Sequence, residues 1–359
     1  MLRSLRPSAL VIGTSAMLAL PAAVAAERIQ VIASFSILAD MVENVGGEHV
    51  AVTSLVGPDS DTHVFSPSPG DARALADADL VVFNGLRFEG WMERLIDSSD
   101  YAGPLVVTSE GIDQLDYPGH APDRAHGHDD TPDDHGHDDH DDHEDEGHAD
   151  EGHADEGHDD HDHGDQDPHA WQDLALGQVY VVNIRDGLIA ADPDNAEAYK
   201  ANAERYINEI EATGDEIREL LTEIPASTSV ITGHDSFGYF SQAYGLRFLS
   251  PVGLSSEAEP SAADMARLID VIREQNVQAL FHENMTSPAV INQLAEETGL
   301  PIAGTLYADA LATEGEASSY LGMMRHNAKT LHEALAEPGH DDDGGDDHGH
   351  DEDSHGHSH

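Results

Sequence analysis

The stretch RIQVIASFSILADMVENVGGEHVAVTSLV, residues 28–56, decides the fold. Within it, Arg28–Ser34 predicts a strand, Ile37–Val45 predicts a helix that ends at a glycine pair, and His49–Val56 predicts a second strand. A strand, a helix and a strand in this order are typical of α/β proteins with mainly parallel sheets. The opening of the chain therefore predicts an α/β fold.

The same alternation continues along most of the chain. Further strands are predicted at Asp79–Asn84, Pro104–Thr108, Ser229–Thr232, Arg247–Leu249, Gln278–His282 and Pro301–Leu306. Helices are predicted at Gly70–Ala78, Phe88–Asp97, Leu174–Ala190, Ser261–Gln275, Pro288–Thr298 and Ser318–Leu335. Residues 194–222 show helical spacing of apolar side chains throughout, and a helix of that length spans about 43 Å at 1.5 Å per residue. The pattern predicts two α/β lobes, residues 27–193 and 223–337, joined by this helix.

The N-terminus carries the features of an export signal. Arg3 and Arg6 precede the uncharged apolar run Leu10–Leu20, and small residues follow it, so residues 1–26 are predicted to be a cleaved signal peptide. The apolar run is too short for a membrane span. The chain contains no cysteine that a disulfide or a lipid anchor would need. We therefore expect a periplasmic protein without a lipid anchor or direct membrane insertion.

Negative charge is concentrated in two histidine-rich tracts. The formal net charge is −55, and residues 120–166 and 338–359 hold 18 of the 25 histidines but almost no apolar side chains. Both tracts are predicted to be disordered, because they cannot bury enough surface to offset the entropy of ordering. The charge makes nucleic acid an unsuitable partner and favours cations.

The histidines of the first tract are candidates for several weak metal sites. Flexible imidazoles and carboxylates bind cations, but each binding event must order the chain, so the affinity per ion is expected to be low. These candidates are His126, His128, His135, His137, His140, His143, His148, His153, His158, His161 and His163. The tract is expected to act as an auxiliary collector or sensor of zinc, and the tail is expected to do the same.

Four other residues are candidates for one tight metal site. His63 lies in GPDSDTH, His169 in DPHAW, His234 in TGHDSFGYF and Asp309 in YADAL, in most cases just after a predicted strand. Ligand sites of open α/β sheets form beyond the carboxyl ends of strands, so these side chains can converge in one cleft. Three imidazoles and a carboxylate suit tetrahedral Zn²⁺. A lone loop histidine is more often a surface or packing residue, and spacing alone does not establish convergence.

The sequence also offers two further candidate site residues and two alternative functions. His282 and Glu283 follow a strand end and are candidates for hydrogen bonds to the metal ligands. A zinc hydrolase also uses three histidines, but the chain has no HExxH motif, and a fourth protein ligand would close the site. A zinc buffer or storage protein would use the tracts but leaves the strand-end motifs unexplained.

From about residue 29 to residue 335 the chain resembles the zinc- and manganese-binding solute receptors of ABC importers, the ZnuA-like or cluster A-I family. The resemblance rests on a set of motifs in the family's order, together with an acidic, histidine-rich insertion. These motifs are ASFSILADM, VGGEHV, LVGPDSDTHVFSPSPGD, LADADLVVFNG, DPHAWQD, DPDNAEAYKANAERY, GHDSFGYF and TLYADAL.

The resemblance implies a fold, a site and a partner. It implies two lobes, each with a mainly parallel four-stranded sheet flanked by helices, joined by one long rigid helix with the metal in the interlobe cleft. It implies that His63, His169, His234 and Asp309 are the ligands. Because Thr62 stands where some relatives have a ligating glutamate, the fourth ligand is either Asp309 or a water, and Asp309 is preferred. Histidine at position 234 favours zinc, whereas manganese receptors tend to have glutamate there.

The expected function is capture of Zn²⁺ in the periplasm by a monomer and delivery to the membrane permease of a zinc ABC importer. One tight zinc site and several weak ones are expected, and no enzymatic activity. The alternative is a receptor for Mn²⁺ or another divalent metal in the same family.

Overall fold

The computed structural model describes residues 28–116, 166–254, 256, 260–275 and 277–336. The predicted signal peptide, nearly all of the predicted insertion, the predicted tail and the eleven auxiliary histidines lie outside these residues. Gln166, the last residue of the predicted insertion, pairs with Asp116 in an isolated antiparallel bridge. The described residues on either side of residues 117–165 therefore lie side by side.

Two parallel sheets of four strands each form the framework. The first contains β1 (Ile29–Phe35), β2 (Val50–Val56), β3 (Leu80–Phe83) and β4 (Leu105–Val107), and the second contains β5 (Ser229–Ile231), β6 (Arg247–Leu249), β7 (Ala279–Glu283) and β8 (Ile302–Leu306). Their orders, β2-β1-β3-β4 and β6-β5-β7-β8, are equivalent, and every pairing is parallel. The fold class predicted from sequence is confirmed.

Helices flank both sheets. They are α1 (Ser36–Gly46), α2 (Pro69–Ala76), α3 (Met92–Ser99), α4 (Leu174–Ala191), α5 (Ala196–Leu221), α6 (Gly238–Tyr244), α7 (Ala262–Glu274), α8 (Ala289–Thr298) and α9 (Tyr320–Leu335). Two of them begin at capping boxes in which serine and aspartate bond each other's backbone, Ser68 with Asp71 and Ser261 with Asp264. Over the described ranges, none of these helices has both the length and the apolar composition of a membrane span.

Helix α3 begins four residues later than predicted. The sequence predicts a helix from Phe88, but Gly85, Leu86 and Arg87 adopt left-handed backbone angles, with φ of 87°, 53° and 60°. Such angles are incompatible with a right-handed helix, so no helix runs into Phe88 from these residues. Residues 88–91 continue in bends and turns, and this segment places the Phe88 ring beside the candidate site.

The long helix α5 packs within the body of the protein. It has 26 residues and spans about 39 Å at 1.5 Å per residue. Its buried face includes Tyr199, Tyr206, Ile210 and Ile217, and it packs against α1, α4 and α9. One hydrophobic core runs through these helices and the inner faces of both sheets, while a smaller core lies between the second sheet and helices α7 and α8. The shared core fixes the two lobes against each other.

Two helical glycines allow a direct test of this packing. A Cβ atom at Gly177 in α4 would lie 2.5 Å from the hydroxyl oxygen of Tyr320, a fully buried side chain that donates a hydrogen bond to the Trp171 carbonyl. At Gly214 in α5 the nearest atom would be 3.5 Å away, in ordinary contact.

We expect Gly177→Ala to lower the free energy of unfolding by about 1–3 kcal/mol, because it displaces Tyr320. The matched Gly214→Ala variant is expected to raise it by up to about 1 kcal/mol, because alanine costs less entropy in a helix. Urea denaturation measures both values. Equal effects of the two substitutions would contradict the packing described.

Candidate metal centre

The four predicted ligand residues meet at one buried point between the sheets. His63 follows β2, His169 precedes α4, and His234 and Asp309 each lie three residues after a strand of the second sheet. The Nε2 atoms of His63, His169 and His234 lie 3.3, 3.6 and 3.0 Å from an Asp309 carboxylate oxygen. One ligand atom from each residue fits within a 4.8 Å cluster, and all four side chains are buried.

The donor atoms are close enough together to bind one metal ion. A tetrahedral ion with ligands at about 2.0–2.1 Å holds its donor atoms about 3.3–3.4 Å apart. The three separations between an imidazole nitrogen and the Asp309 carboxylate lie around that value, while the four donor atoms together span up to 4.8 Å. The three Nε2 atoms and both carboxylate oxygens of Asp309 are buried and have no hydrogen-bond partner. An unsatisfied buried polar group costs about 1–3 kcal/mol. A divalent cation would satisfy all of these atoms at once.

Two aspartates hold the histidines of the first lobe. The Asp61 carboxylate accepts the backbone N–H of His63 at 2.9 Å. The Asp167 carboxylate accepts the backbone N–H of His169 at 2.9 Å and also contacts its Nδ1 atom at 2.7 Å. Because Nδ1 of His169 is occupied by a carboxylate, Nε2 is the atom left for the metal. Sequence reasoning missed both aspartates, although each stands two residues before its histidine, in DTH and DPH.

Glu283 plays the equivalent part in the second lobe. Its carboxylate accepts the backbone N–H groups of Gly233 at 2.7 Å and His234 at 3.1 Å, and its other oxygen contacts Nδ1 of His234 at 2.6 Å. The structure therefore brings Glu283 to the site. His282 is not brought there: successive residues of a strand face opposite sides, and His282 shares the side of Leu280, which packs in the smaller core under α7 and α8.

Aromatic side chains close one side of the cluster. The Phe88 ring centroid lies 4.8 Å from that of His63 and 5.6 Å from that of His169, both edge to face. Trp171 lies 5.3 Å from His169 in the same arrangement. These rings restrict the rotation of the imidazoles and exclude water. Phe88 was missed as a site residue because the sequence placed it in a helix.

A buried carboxylate fixes the turn that carries Phe88. Glu89 accepts the Ser34 hydroxyl at 2.6 Å and the backbone N–H groups of Asn84 and Gly85. Burial raises the pKa of Glu89, although these hydrogen bonds oppose the shift. The Asn84 side chain in turn donates to the Pro168 carbonyl, next to His169. The turn and the His169 loop are thereby joined.

The loop that carries Asp309 is fastened by neighbours from the first lobe. The Ala308 carbonyl accepts the indole N–H of Trp171 and the amide of Gln172, both at 2.9 Å. The Leu311 N–H donates to the Ser36 hydroxyl at 3.0 Å. Bonds on either side of Asp309 therefore hold its carboxylate, which makes no hydrogen bond of its own, toward the three imidazoles.

The electrostatics of the cluster favour a cation. Burial would raise the pKa of Asp309, but the charges of His234 and His169 outweigh it and hold that pKa well below its usual range. Burial would lower the pKa of His234, but Glu283 and Asp309 raise it well above its usual value. Burial lowers the pKa of His63. The raised pKa of His234 favours its protonated form, and a metal ion must compete with that proton.

A buried site of three histidines and one aspartate between two parallel-sheet lobes defines a two-lobed receptor for a divalent metal. The chain belongs to the family described as zinc-uptake complex component A, periplasmic, whose model matches residues 31–334. Members of that family are the substrate-binding components of ABC metal importers. The protein is accordingly the periplasmic solute-binding component of such an importer and works with a membrane permease.

Relatives and solved structures of this family differ in the metal that their names carry. The chain is 30% identical over 313 residues to the manganese-binding lipoprotein MntA of Halalkalibacterium halodurans, covering 87% of this chain and 90% of that one. It is 27% identical to the iron-binding protein YfeA of Yersinia pestis, with 85% and 86% covered. The structure of the periplasmic zinc-binding protein TroA from Treponema pallidum matches with a TM-score of 0.70 and 25% identity, covering 86% of this chain and 100% of that chain.

The protonated state of His234 leads to a pH test. We expect divalent metal binding at neutral pH to release a proton and the affinity to fall as the pH decreases, because protons compete for the imidazoles. Glu283→Gln removes the charge that raises the pKa of His234, so the variant should release fewer protons. It should also bind metal about 10- to 100-fold more weakly, because the imidazole loses its orienting carboxylate.

Calorimetry in two buffers of different ionisation enthalpy measures the protons released, and Glu297→Gln, an exposed position on α8, is the matched control. Metal binding that releases no proton in the unsubstituted protein and keeps its affinity down to about pH 5, below the usual histidine pKa, would contradict this description of the site.

Proposed function

We propose that the protein captures Zn²⁺ in the periplasm and delivers it to the permease of a zinc importer. The observation that carries this proposal is the donor set, in which three imidazole nitrogens and one carboxylate converge without other partners. Imidazole suits zinc, whereas manganese and magnesium prefer oxygen ligands. The separations of 3.0–3.6 Å between the imidazole nitrogens and the Asp309 carboxylate are also close to those of a four-coordinate shell, which is the usual geometry of zinc.

A manganese receptor is the second candidate, and one observation favours it. MntA, at 30% identity over most of the chain, is named manganese-binding. Both Asp309 oxygens are available, so this residue could ligate through two atoms and raise the coordination number toward the six that manganese accepts. Against this candidate, His234 supplies a nitrogen, held by Glu283, where an oxygen would suit manganese better.

The geometry supports binding rather than catalysis. A catalytic zinc needs an open position for water or substrate. Here all four ligand side chains are buried, and rings of Phe88 and Trp171 pack against the histidines. The four ligands come from a single chain, so the site is complete in a monomer, and we propose that the protein acts as one.

Residues 120–166 serve, in this proposal, as an auxiliary collector or sensor of zinc. Their composition supports this role, since imidazoles and carboxylates dominate the tract. Its ends emerge at the Asp116–Gln166 bridge, and Gln166 is three residues from His169. A metal ion held by the tract is thus tethered to the same segment of chain as the cleft. Weak sites in such a tract would raise the local concentration of zinc.

Export through a signal peptide at residues 1–26 stays part of the proposal. MntA is named a lipoprotein, whereas this chain contains no cysteine to which a lipid could be attached. A free periplasmic form, without a lipid anchor, therefore stays a prediction from the sequence.

Two reciprocal variants test the division between tight and weak sites. Deleting residues 120–163 leaves a five-residue loop, 117–119 and 164–165, across the Asp116–Gln166 bridge. We expect this variant to lose several weak zinc sites and to keep the tight one. The His63→Ala/His169→Ala variant is expected to lose the tight site and to keep the weak ones, because the tract does not depend on the cleft.

Isothermal titration with zinc, repeated with manganese, measures both the number of sites and their affinities. Loss of the tight site on deletion of the tract would refute the proposed division. A tight site that prefers manganese would favour the second candidate. An unchanged tight site in the double variant would show that the cleft is not the binding site.

A further inference from the structure

Asp59 joins the two lobes beside the metal site. It lies in the loop between β2 and His63 and has a left-handed backbone angle, φ 52°. This region is sparsely populated for residues other than glycine, although asparagine and aspartate tolerate it best. Such strain persists only where surrounding contacts compensate for it. The contacts of Asp59 are therefore informative.

All of the compensating contacts come from the other lobe. The Asp59 N–H donates to the Leu311 carbonyl at 2.9 Å. One carboxylate oxygen accepts the Asn284 side-chain amide at 2.9 Å, and the other accepts the Thr313 N–H at 2.9 Å and its hydroxyl at 2.7 Å. One residue of the first lobe thus makes four hydrogen bonds to three residues of the second.

These partners hold both sides of the second-lobe site. Leu311 and Thr313 follow Asp309 by two and four residues, and Asn284 directly follows Glu283, which orients His234. Asn284 also donates to the Ala310 carbonyl at 3.2 Å. The hydrogen bonds from Asn284 and Thr313 hold the pKa of Asp59 below its usual value, although burial alone would raise it. The charged acceptor makes each bond stronger than a neutral one.

A bound metal cannot leave while the lobes stay together. His63 and His169 belong to the first lobe, whereas His234 and Asp309 belong to the second, and all four are buried. Release therefore requires the loop of His63 and the loop of Asp309 to separate. The bonds of Asp59 span these two loops, and Asp59 is exposed, so water can replace its partners as the loops part.

We propose that Asp59 is a positioning residue that keeps the Asp309 loop closed over the bound metal and thereby slows its release. The inference rests on the proposed function and adds to it a residue that controls the lifetime of the complex without touching the metal. Ser256 also bridges the lobes by donating a hydrogen bond to Asp61. Because Asp61 also holds the backbone of the candidate ligand His63, removing that contact would disturb the metal site itself.

Two substitutions remove the bonds without adding backbone strain. Asparagine and glycine both tolerate the left-handed conformation. Asp59→Asn replaces one acceptor oxygen by a donor group, and Asp59→Gly removes the carboxylate entirely. Ser60→Ala is the matched control, because the Ser60 hydroxyl bonds only within its own loop, to the Pro58 carbonyl.

The first readout is the dissociation rate of zinc, measured with a chelator on the full chain loaded with one equivalent. We expect it to rise roughly five- to tenfold in Asp59→Asn and further in Asp59→Gly, since loss of an exposed hydrogen bond worth about 1–1.4 kcal/mol changes a rate by about this factor. Thr313→Val should raise the rate in the unsubstituted background but have no effect together with Asp59→Gly, because the two side chains act through the same bond.

The second readout does not need metal. Hydrogen exchange of the backbone at residues 311–313 is expected to accelerate in metal-free Asp59→Gly but not in Ser60→Ala, because the Thr313 N–H loses its acceptor. If exchange in that segment is unchanged, Asp59 does not hold the loop and the inference is wrong, whatever the metal. If exchange accelerates but zinc leaves at the original rate, Asp59 is structural only, which also overturns the inference.

The inference and the proposed function fail in distinguishable ways. Failure of the unsubstituted protein to bind zinc tightly would refute the proposed function, and the exchange measurement would still decide whether Asp59 holds the loop. Tight zinc binding with unchanged release in both Asp59 variants would refute only the role of Asp59. A fall in the melting temperature of the metal-free variants, with no change in release, would likewise refute that role alone.

Discussion

Five buried polar atoms, three imidazole nitrogens and two carboxylate oxygens, converge on one position, and among the described residues none of them has a hydrogen-bond partner outside this cluster. Leaving them so is unfavourable, because each has lost its contact with water and gains only the other groups of the cluster in return. The surrounding structure must therefore prevent the four side chains from turning toward other partners. Much of the architecture near the cleft serves that constraint.

In each lobe, carboxylates hold the histidines in place by hydrogen bonds of the same kind. Asp61, Asp167 and Glu283 each accept the backbone N–H of the histidine they support, and two of them also occupy its Nδ1 atom. The two sheets contribute through their equivalent strand orders, which place the carboxyl ends of both sets of parallel strands at the cleft. The shared core along α5 then fixes the distance between the lobes. Because the four candidate ligands come from both lobes, release of a bound metal would require the loops of His63 and Asp309 to move apart.

The sequence was sufficient for the fold and for the position of the site. All eight strands were predicted because short apolar runs and amphipathic segments alternate clearly, and three of the four ligand candidates, His63, His234 and Asp309, stood out because they follow strand ends. The start of α3 was predicted wrongly at Phe88, since three consecutive left-handed residues in Gly85–Arg87 depend on the tertiary bonds of Glu89. No local pattern reveals such bonds.

Other contacts of the site could have been predicted from the sequence. The aspartates of DTH and DPH share a spacing that could have predicted their contacts with the histidines. Successive residues of a strand face opposite sides, so Glu283 and His282 cannot both face the cleft, and knowing the direction of one fixes that of the other. The contacts of Asp59 with Asn284 and Thr313 join residues more than 200 positions apart. They could not have been predicted without the relative placement of the lobes.

X-ray absorption at the zinc edge, on the full chain loaded with one equivalent of zinc, tests the central claim most directly. The account predicts a four-coordinate shell of three nitrogen ligands and one oxygen ligand at about 2.0–2.1 Å, with the scattering pattern of imidazole. In a chain that lacks residues 120–163 and 338–359, the His63→Ala/His169→Ala substitutions should abolish that spectrum, because no histidine-rich tract is left to bind the zinc. A six-coordinate shell dominated by oxygen, or the same spectrum in the double variant, would contradict the claim that these four residues bind the metal.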